Sequence, residues 1–342
     1  MLLPIGLQYP YVQAAQEYLE NAGCNVKDHF VFMENPNKPI VISWECSSDA
    51  VTSFTVEYAA KSDYSDAVCV DVASDCRQIE LYNLFKSTEY FVRLTAYAGE
   101  ELLNVDEARF STTSLGPRVM KIDGIYNVRD LGGYAVGNGE TTRQGLLYRG
   151  GSLTPADVYD SNLTESGRKY MSEVMKIKTE IDLRAPDESG DLAESVIPGA
   201  SLIYTSLGGY ADAFSDGAFG KSSYRKFFSI LANENNYPIY YHCTGGADRT
   251  GTVSFLLNAI LGVDEQILIN DYEFTSFSVF NIRNSREGAF APLFKEFRDR
   301  LEAIEGNSLQ EKAENYLLFI GVTADEICSI KAIMIGKPTR NI

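Results

Sequence analysis

Residues 239 to 261 constrain the fold of this chain most. The apolar stretch Ile239-Tyr240-Tyr241-His242 runs into Cys243-Thr244-Gly245-Gly246-Ala247-Asp248-Arg249, then through Thr250-Gly251 into a long apolar segment that stops at Gly262. The first part suits a short strand buried on both faces. The last part suits a buried helix, Thr250 to Leu261, closed by a glycine. Strand, tight turn and helix in that order belong to α/β architecture, where a loop at a strand's carboxyl end opens onto the ligand crevice.

The loop also carries chemistry. Five residues separate Cys243 from Arg249, a length at which backbone N–H groups can curl around one anion. Gly245 and Gly246 permit the positive φ angles that such curling needs. The helix beginning near Thr250 aims its positive end at the same point. Arg249 offers a planar fork of donors matched to phosphate oxygens, and the same positive surroundings favour the thiolate of Cys243. A thiolate below a bound phosphate can displace the leaving oxygen in line and form a thiophosphate. The phosphate-binding set read this way is Thr244, Gly245, Gly246, Ala247, Asp248, Arg249 and Thr250, with the Thr250 hydroxyl available to help the intermediate break down. The competing reading, a core cysteine beside a surface turn, gives Arg249 no purpose.

These residues resemble the phosphate loop of the cysteine-dependent tyrosine phosphatase superfamily. Within it the chain is similar to the bacterial tyrosine/lipid phosphatases that carry His-Cys-x-x-Gly-Lys-Asp-Arg-Thr-Gly. Asn127-Val128-Arg129-Asp130-Leu131-Gly132-Gly133, Ile181-Asp182-Leu183-Arg184 with Glu188 after it, and Asp271-Tyr272 resemble that family's other motifs and occur in its order over residues 118 to 336. The resemblance implies a dual-specificity-like fold and a metal-independent phosphomonoester hydrolase, with phosphotyrosine in proteins as the favoured substrate. The family's lysine is Ala247 here, which counts against phosphoinositide substrates. An inositol-phosphate or phosphoinositide phosphatase remains an alternative, as does a weakly active module that binds phosphorylated ligands. No cofactor or metal is implied.

A proton donor for the leaving oxygen is also required. The only tryptophan, Trp44, lies far upstream, so a Trp-Pro-Asp loop is absent. In the family the acid is an Asp inside the phosphate loop, a position held by Asp248. Asp182 is the second candidate, Asp187 the third, and Asp212 and Asp216 follow if the Gly-rich, aromatic stretch 207–223 closes as a lid. In that lid Tyr210, Phe214 or Phe219 would stack on an aryl phosphate. Asp248 reads equally as a capping or ion-pairing residue, and 207–223 equally as a locally packed loop. His242 abuts Cys243, but alternate strand residues face opposite ways, so it reads as a support for the loop. Arg129 and Arg149 read as structural ion pairs before they read as anion ligands.

Charge narrows the partners. The formal net charge is −17, and residues 1–115 hold 7 Lys and Arg against 17 Asp and Glu. Such a surface repels nucleic acid and anionic membranes, while leaving room for one phosphate in a local positive pocket. The expected partners are a phosphorylated protein or a small phosphomonoester, with no nucleic acid and no membrane span. Cys24, Cys46, Cys69, Cys76, Cys243 and Cys328 follow no zinc spacing, and His29 and His242 are the only histidines. The opening Met1-Leu2-Leu3-Pro4 reads as no signal peptide. A cytoplasmic setting and a secreted or cell-surface one both stay open.

The expected layout has three parts. Residues 1–30 hold an amphipathic helix from Val12 to Ala22. Residues 31–115 form an all-β sandwich, with strands at Val41–Trp44, Ser53–Tyr58, Cys69–Val72, Gln78–Leu81 and Thr88–Tyr97. The set Trp44, Leu81, Leu84 and Tyr90 resembles a fibronectin type III module, in which Trp44 and Tyr90 are core residues and the sandwich has a protein or glycan partner. After Ser114-Leu115-Gly116-Pro117, residues 116–342 form the α/β domain, a central and mostly parallel sheet flanked by helices. Its strands are Leu146–Arg149, Lys178–Leu183 and Ile239–His242. Its helices include Ser161–Met175, Ser222–Ala232, Ala291–Ile304, Leu309–Ile320 and Thr323–Ile335.

Overall fold

A computed structural model describes residues 1–21, 23–31, 36–155, 161–190, 192–278 and 281–335. The chain divides into two compact units, one drawing on Met1–Val12 and Asn37–Leu115, the other on Gln13–Pro36 and Gly116–Lys337. This differs from the expected separate segment 1–30. Leu2 bridges to Trp44 and Gln8 to Thr112, which ties the first residues to the β unit. The amphipathic helix instead belongs to the α/β unit. Helical periodicity reveals an apolar face, not the surface that buries it.

Among the described residues the first unit has six strands: β1 (Ile40–Ser43), β2 (Ser53–Ala59), β3 (Val68–Ala73), β4 (Gln78–Leu81), β5 (Glu89–Ala98) and β6 (Glu101–Ser111). One antiparallel sheet runs β3-β2-β5-β6 and the other pairs β1 with β4. Alternate residues of β2 and β5 enter the core, where Trp44 meets Phe54 edge-on and Tyr90 stacks on Phe110. The Tyr90 hydroxyl accepts the Phe85 backbone N–H at 2.9 Å, a tyrosine corner that ties the strand to the turn before it. The strand β6 escapes the sequence pattern because most of its side chains are exposed. Backbone pairing along β5 holds it instead, with a bulge at Ala96/Tyr97. All six cysteines are free, so Cys69 and Cys76 form no bridge.

In the second unit, α1 (Gln13–Glu20) and α2 (Val26–His29) come first; Ala22, the expected helix end, lies outside the described residues. The sheet contains β7 (Arg118–Val119), β8 (Arg129–Asp130), β9 (Leu147–Gly150), β10 (Thr179–Asp182), β11 (Ser201–Tyr204) and β12 (Ile239–His242), ordered β11-β10-β12-β9-β8-β7. The four strands from β11 to β9 are parallel; β8 and β7 are short and antiparallel. Helices α3 (Glu165–Lys169), α4 (Pro186–Ser189), α5 (Lys221–Leu231), α6 (Asp248–Ile260), α7 (Glu265–Phe274), α8 (Ala291–Glu302), α9 (Leu309–Phe319) and α10 (Ala324–Met334) complete the unit.

Both sheet faces are covered, as a parallel sheet requires. On one face Leu147, Ile181, Ile239 and Tyr241 pack into a core with residues of α5, α6, α8, α9 and α10. On the other, Tyr148 and Tyr240 meet Leu163, Met171, Met175 and Ile177. The helix expected from Ser161 starts later, because the Thr164 hydroxyl caps it by accepting the Gly167 N–H at 3.1 Å. Thr323 caps α10 with a Glu326 capping box, as read from sequence. Gly262, at φ +79°, ends α6. Among the described residues no helix is long and apolar enough to cross a membrane.

Candidate active site

The central strand β12 delivers Cys243 to its carboxyl end, and α6 begins five residues later at Asp248. Every residue of α6 from Thr250 to Ile260 is buried, so the helix that directs its N-terminus at the loop is fixed on all sides. Cys243 is itself buried, 4% exposed.

The loop owes its shape to its carbonyls. Thr244 O accepts Ser152 N–H at 2.9 Å. Asn127 Nδ2 donates to Gly245 O at 3.0 Å and to Gly246 O at 3.1 Å, and Arg149 Nη2 donates to Gly246 O at 2.7 Å. Among the described residues none of the backbone N–H groups of 244–249 has a partner within the protein. A row of unpaired donors at a helix N-terminus is an anion-binding nest. Of the two loop glycines only Gly246 takes a positive φ, +66°, which corrects the expectation for Gly245. A Cβ on Gly246 would stand 2.3 Å from Gly150 O, so close approach to β9 also demands glycine there.

Beneath the loop lies a buried charge network. Asp271, on α7, accepts Arg129 Nε at 2.7 Å through one oxygen and Arg149 Nη1 at 2.7 Å through the other. Arg129 also donates to Thr275 Oγ1 at 2.9 Å and to Asn127 Oδ1. Burial opposes ionisation of Asp271, but the two guanidinium groups outweigh it and hold its carboxyl below the usual range. Arg129 and Arg149 are therefore ion-paired supports, as read. Asn127 was visible only as part of a motif; its use as the loop's clamp required the fold.

His242 is fully buried, with Nε2 2.9 Å from Glu180 Oε1, Nδ1 3.2 Å from the Cys243 carbonyl and 3.9 Å from Asp182. Burial works to lower its pKa, yet Asp182 and Glu180 leave it raised. It faces the carboxylates of β10, where it supports the strand.

Arg249 forks onto Glu188 of α4, Nη1 to Oε1 at 3.1 Å and Nη2 to Oε2 at 2.9 Å. The bond to Arg249 depresses the Glu188 pKa. The two leading acid candidates are both engaged. Asp248 receives Arg283 through Nε at 2.9 Å and Nη2 at 2.8 Å, one oxygen each, and also the Tyr210 hydroxyl. Asp182 receives Arg184 through Nε at 3.0 Å and Nη2 at 2.7 Å, plus its backbone N–H at 2.9 Å. Burial would raise the Asp182 pKa, but His242 and Arg184 bring it down. A guanidinium fork fixes the orientation of each of these carboxylates. Asp216 pairs with Lys221 at 2.9 Å. Asp187 and Asp212 are exposed and make no side-chain hydrogen bond among the described residues.

The stretch 207–223 is a wall before it is a lid. Leu207, Tyr210 and Ala213 are buried, and Phe214 packs against Phe297 and Tyr316. Only Phe219 of the three aromatics is exposed. Tyr210 adopts φ +55°, a sparsely populated region for a bulky residue. Its N–H on Thr252 Oγ1 at 2.8 Å and its hydroxyl on Asp248 and Tyr272 hold it there. Neither Tyr210 nor Arg283 carries a local signal for its role, since each meets Asp248 only through tertiary folding. Thr250 is fully buried and its hydroxyl has no partner among the described residues. Ala247, where the resemblance has lysine, is buried. Among the described residues no group of three or more His, Cys, Asp or Glu is placed to hold a metal ion.

The profile of the tyrosine phosphatase family matches residues 120–335. A candidate tyrosine-protein phosphatase of Cupriavidus necator is 27% identical over 190 residues, covering 49% of this chain and 67% of that protein. The core catalytic domain of the PP-IP phosphatase Siw14 from S. cerevisiae, solved with citrate, is 16% identical over 47% of this chain and 90% of its own, at a TM-score of 0.30. The fn3 domain of human contactin 1 is 25% identical over 24% of this chain and 71% of its own, at a TM-score of 0.19.

Proposed function

The chain belongs to the tyrosine phosphatase family, and from that premise we propose that it hydrolyses phosphomonoesters through a cysteinyl-phosphate intermediate, with phosphotyrosine in proteins as the favoured substrate. The observation that carries this reading is the run of unpaired N–H groups on residues 244–249, placed between Cys243 and the start of α6. In this reading Arg249 and those amides hold the three equatorial oxygens. The Cys243 thiolate forms the S–P bond as the P–O bond to the leaving group breaks. Water then attacks phosphorus, and the thiolate leaves as inorganic phosphate forms. Thr250, with its unpartnered hydroxyl, assists that second step.

For the proton donor the geometry favours Asp212 over the two acids first suggested by the sequence. Asp248 and Asp182 each have both oxygens engaged by a guanidinium fork, an arrangement that serves orientation more than proton delivery. Asp187 neighbours Glu188 in α4, and adjacent helical side chains point about 100° apart, so the two do not share the face that Glu188 presents to Arg249. Asp212 sits in the 3₁₀ turn Tyr210–Phe214. The Cα of Gly209, just before that turn, backs against the Asp248–Arg249 backbone, where an added Cβ would lie 3.4 Å from Arg249 N. Asp212 gives its proton to the leaving oxygen and takes one from the attacking water.

The first unit is read as a fibronectin III-like sandwich, on the strength of its two antiparallel sheets and the Tyr90 corner; a protein or glycan is its proposed partner. The central experiment compares wild type with Cys243→Ser on p-nitrophenyl phosphate, phosphotyrosine peptides and inositol phosphates under reducing conditions. Turnover by wild type alone, fastest on phosphotyrosine peptides, supports the proposal. Equal rates for both proteins end it, and a preference for inositol phosphates moves the substrate class.

A further inference from the structure

We propose that the segment containing α1 and α2 is a positioning strap, setting Arg283 against Asp248 and so holding the phosphate loop in its working shape. The inference rests on the phosphatase reading above.

The strap makes a dense set of contacts with residues 284–287, more than 250 positions away in sequence. Asn25 Nδ2 donates to Glu287 Oε1 at 2.6 Å, and Asn25 Oδ1 accepts Asn284 Nδ2 at 2.6 Å. Gly23 O accepts Arg286 Nη1 at 2.7 Å, and Lys27 pairs with Glu287 at 3.1 Å. A second tie runs through the buried Glu273: one oxygen accepts the Tyr18 hydroxyl at 2.6 Å, the other accepts Ser285 N–H at 2.8 Å and Ser285 Oγ at 2.6 Å.

What this grip holds is the base of Arg283. The Arg283 backbone is locked in both directions on Ser276, N–H to Oγ at 2.8 Å and Oγ to carbonyl at 3.1 Å. Its guanidinium lies 3.7 Å from the centre of the Phe290 ring and forks onto Asp248. Asp248 is the first residue of α6 and immediately precedes Arg249. The line of force is therefore Asn25 and Tyr18 to residues 284–287, to Arg283, to Asp248, to the loop. A planar fork fixes the orientation of the carboxylate as well as its distance. A short, otherwise irregular segment can present that fork accurately only if it is pinned along its length. Neither Asn25 nor Tyr18 belongs to the loop itself, so they are positioning residues.

The test uses the full chain. Asn25→Ala removes both side-chain bonds to 284–287; Tyr18→Phe removes one hydroxyl and serves if Asn25→Ala folds poorly. On p-nitrophenyl phosphate the strap variant is expected to lower kcat about tenfold while KM changes less than about twofold, the pattern of a misplaced reacting loop. In an Arg283→Ala background the same change is expected to cost nothing further, because the effect is routed through Arg283. Lys295→Ala, an exposed pair with Asp299, serves as the control. Independent losses that multiply in the double variant overturn the proposal. Hydrogen exchange decides the matter without turnover: the strap variant is expected to raise exchange at 281–287 and at the first bonded amides of α6, from Gly251 N–H onward, together. A rise confined to 281–287 overturns the strap, whereas inactivity of wild type with a coupled rise removes the phosphatase reading and leaves the strap standing.

Discussion

The Arg249 guanidinium lies in a two-bond fork on the Glu188 carboxylate, at 3.1 and 2.9 Å. Each terminal nitrogen gives one N–H to Glu188, which leaves the second N–H on each, and the Nε–H, for an oxyanion. The pairing therefore aims Arg249 and does not use it up. Glu188→Gln is expected to raise KM for p-nitrophenyl phosphate by about two- to fivefold, the worth of a half-exposed pair. Steady-state kinetics check this; an unchanged KM would mean that Arg249 needs no such guide.

Two separate constraints require glycine at position 246. Its positive φ costs an L-residue about 1–2 kcal/mol, and a Cβ there would meet Gly150 O at 2.3 Å. Gly246→Ala is expected to abolish vanadate binding measured by calorimetry. Gly245→Ala, at a position without positive φ, is expected to keep it.

Asp271 holds two buried guanidinium groups at once. Removing its charge with Asp271→Asn strands both, and a broken buried pair costs about 3–5 kcal/mol. Because the folded-state pKa is depressed, the contribution of Asp271 is complete above its unfolded value of about 4 and fades as pH falls through the lower folded value. Urea melts of wild type and Asp271→Asn should therefore converge in strong acid and stay apart at neutral pH.

The sign reverses for His242. Its folded pKa is raised, so the stabilising charge is complete below the unfolded value of about 6.5 and is lost as pH rises through the folded one. The advantage of wild type over His242→Asn in thermal melts is expected to shrink between neutral and alkaline pH. A constant gap would show that His242 is neutral throughout.

Asp212→Asn tests the proton donor. Its effect on kcat is expected to be about 10²-fold or more for phosphotyrosine, and several times smaller for p-nitrophenyl phosphate, whose leaving group needs less protonation. If Asp248→Asn shows that pattern and Asp212→Asn does not, the acid is Asp248 and the Arg283 fork opens during turnover.

The strands β2, β4 and β12 and the helices α5, α6 and α10 follow their sequence patterns to within two residues. Each has an apolar period or cap that local chemistry reads directly. The strand β6 does not, because its order comes from backbone pairing with β5. The same division runs through the site. Cys243 and Arg249 stand at the ends of a short loop whose neighbours are fixed by the chain. Arg283, Tyr210 and Glu188 reach that loop across 35 to 61 residues, and no local period carries such a pairing.

The amino-acid order alone determined the α/β class, the strand–loop–helix unit and the identity of the thiol and guanidinium, since these depend on hydrophobic spacing and on residues close in sequence. Only the tertiary structure decided which carboxylates are already bound, which loop glycine takes a positive φ and where α1 packs. Those outcomes depend on charges and surfaces that meet only after the chain has closed long loops, and their energies exist only once the partners are buried together.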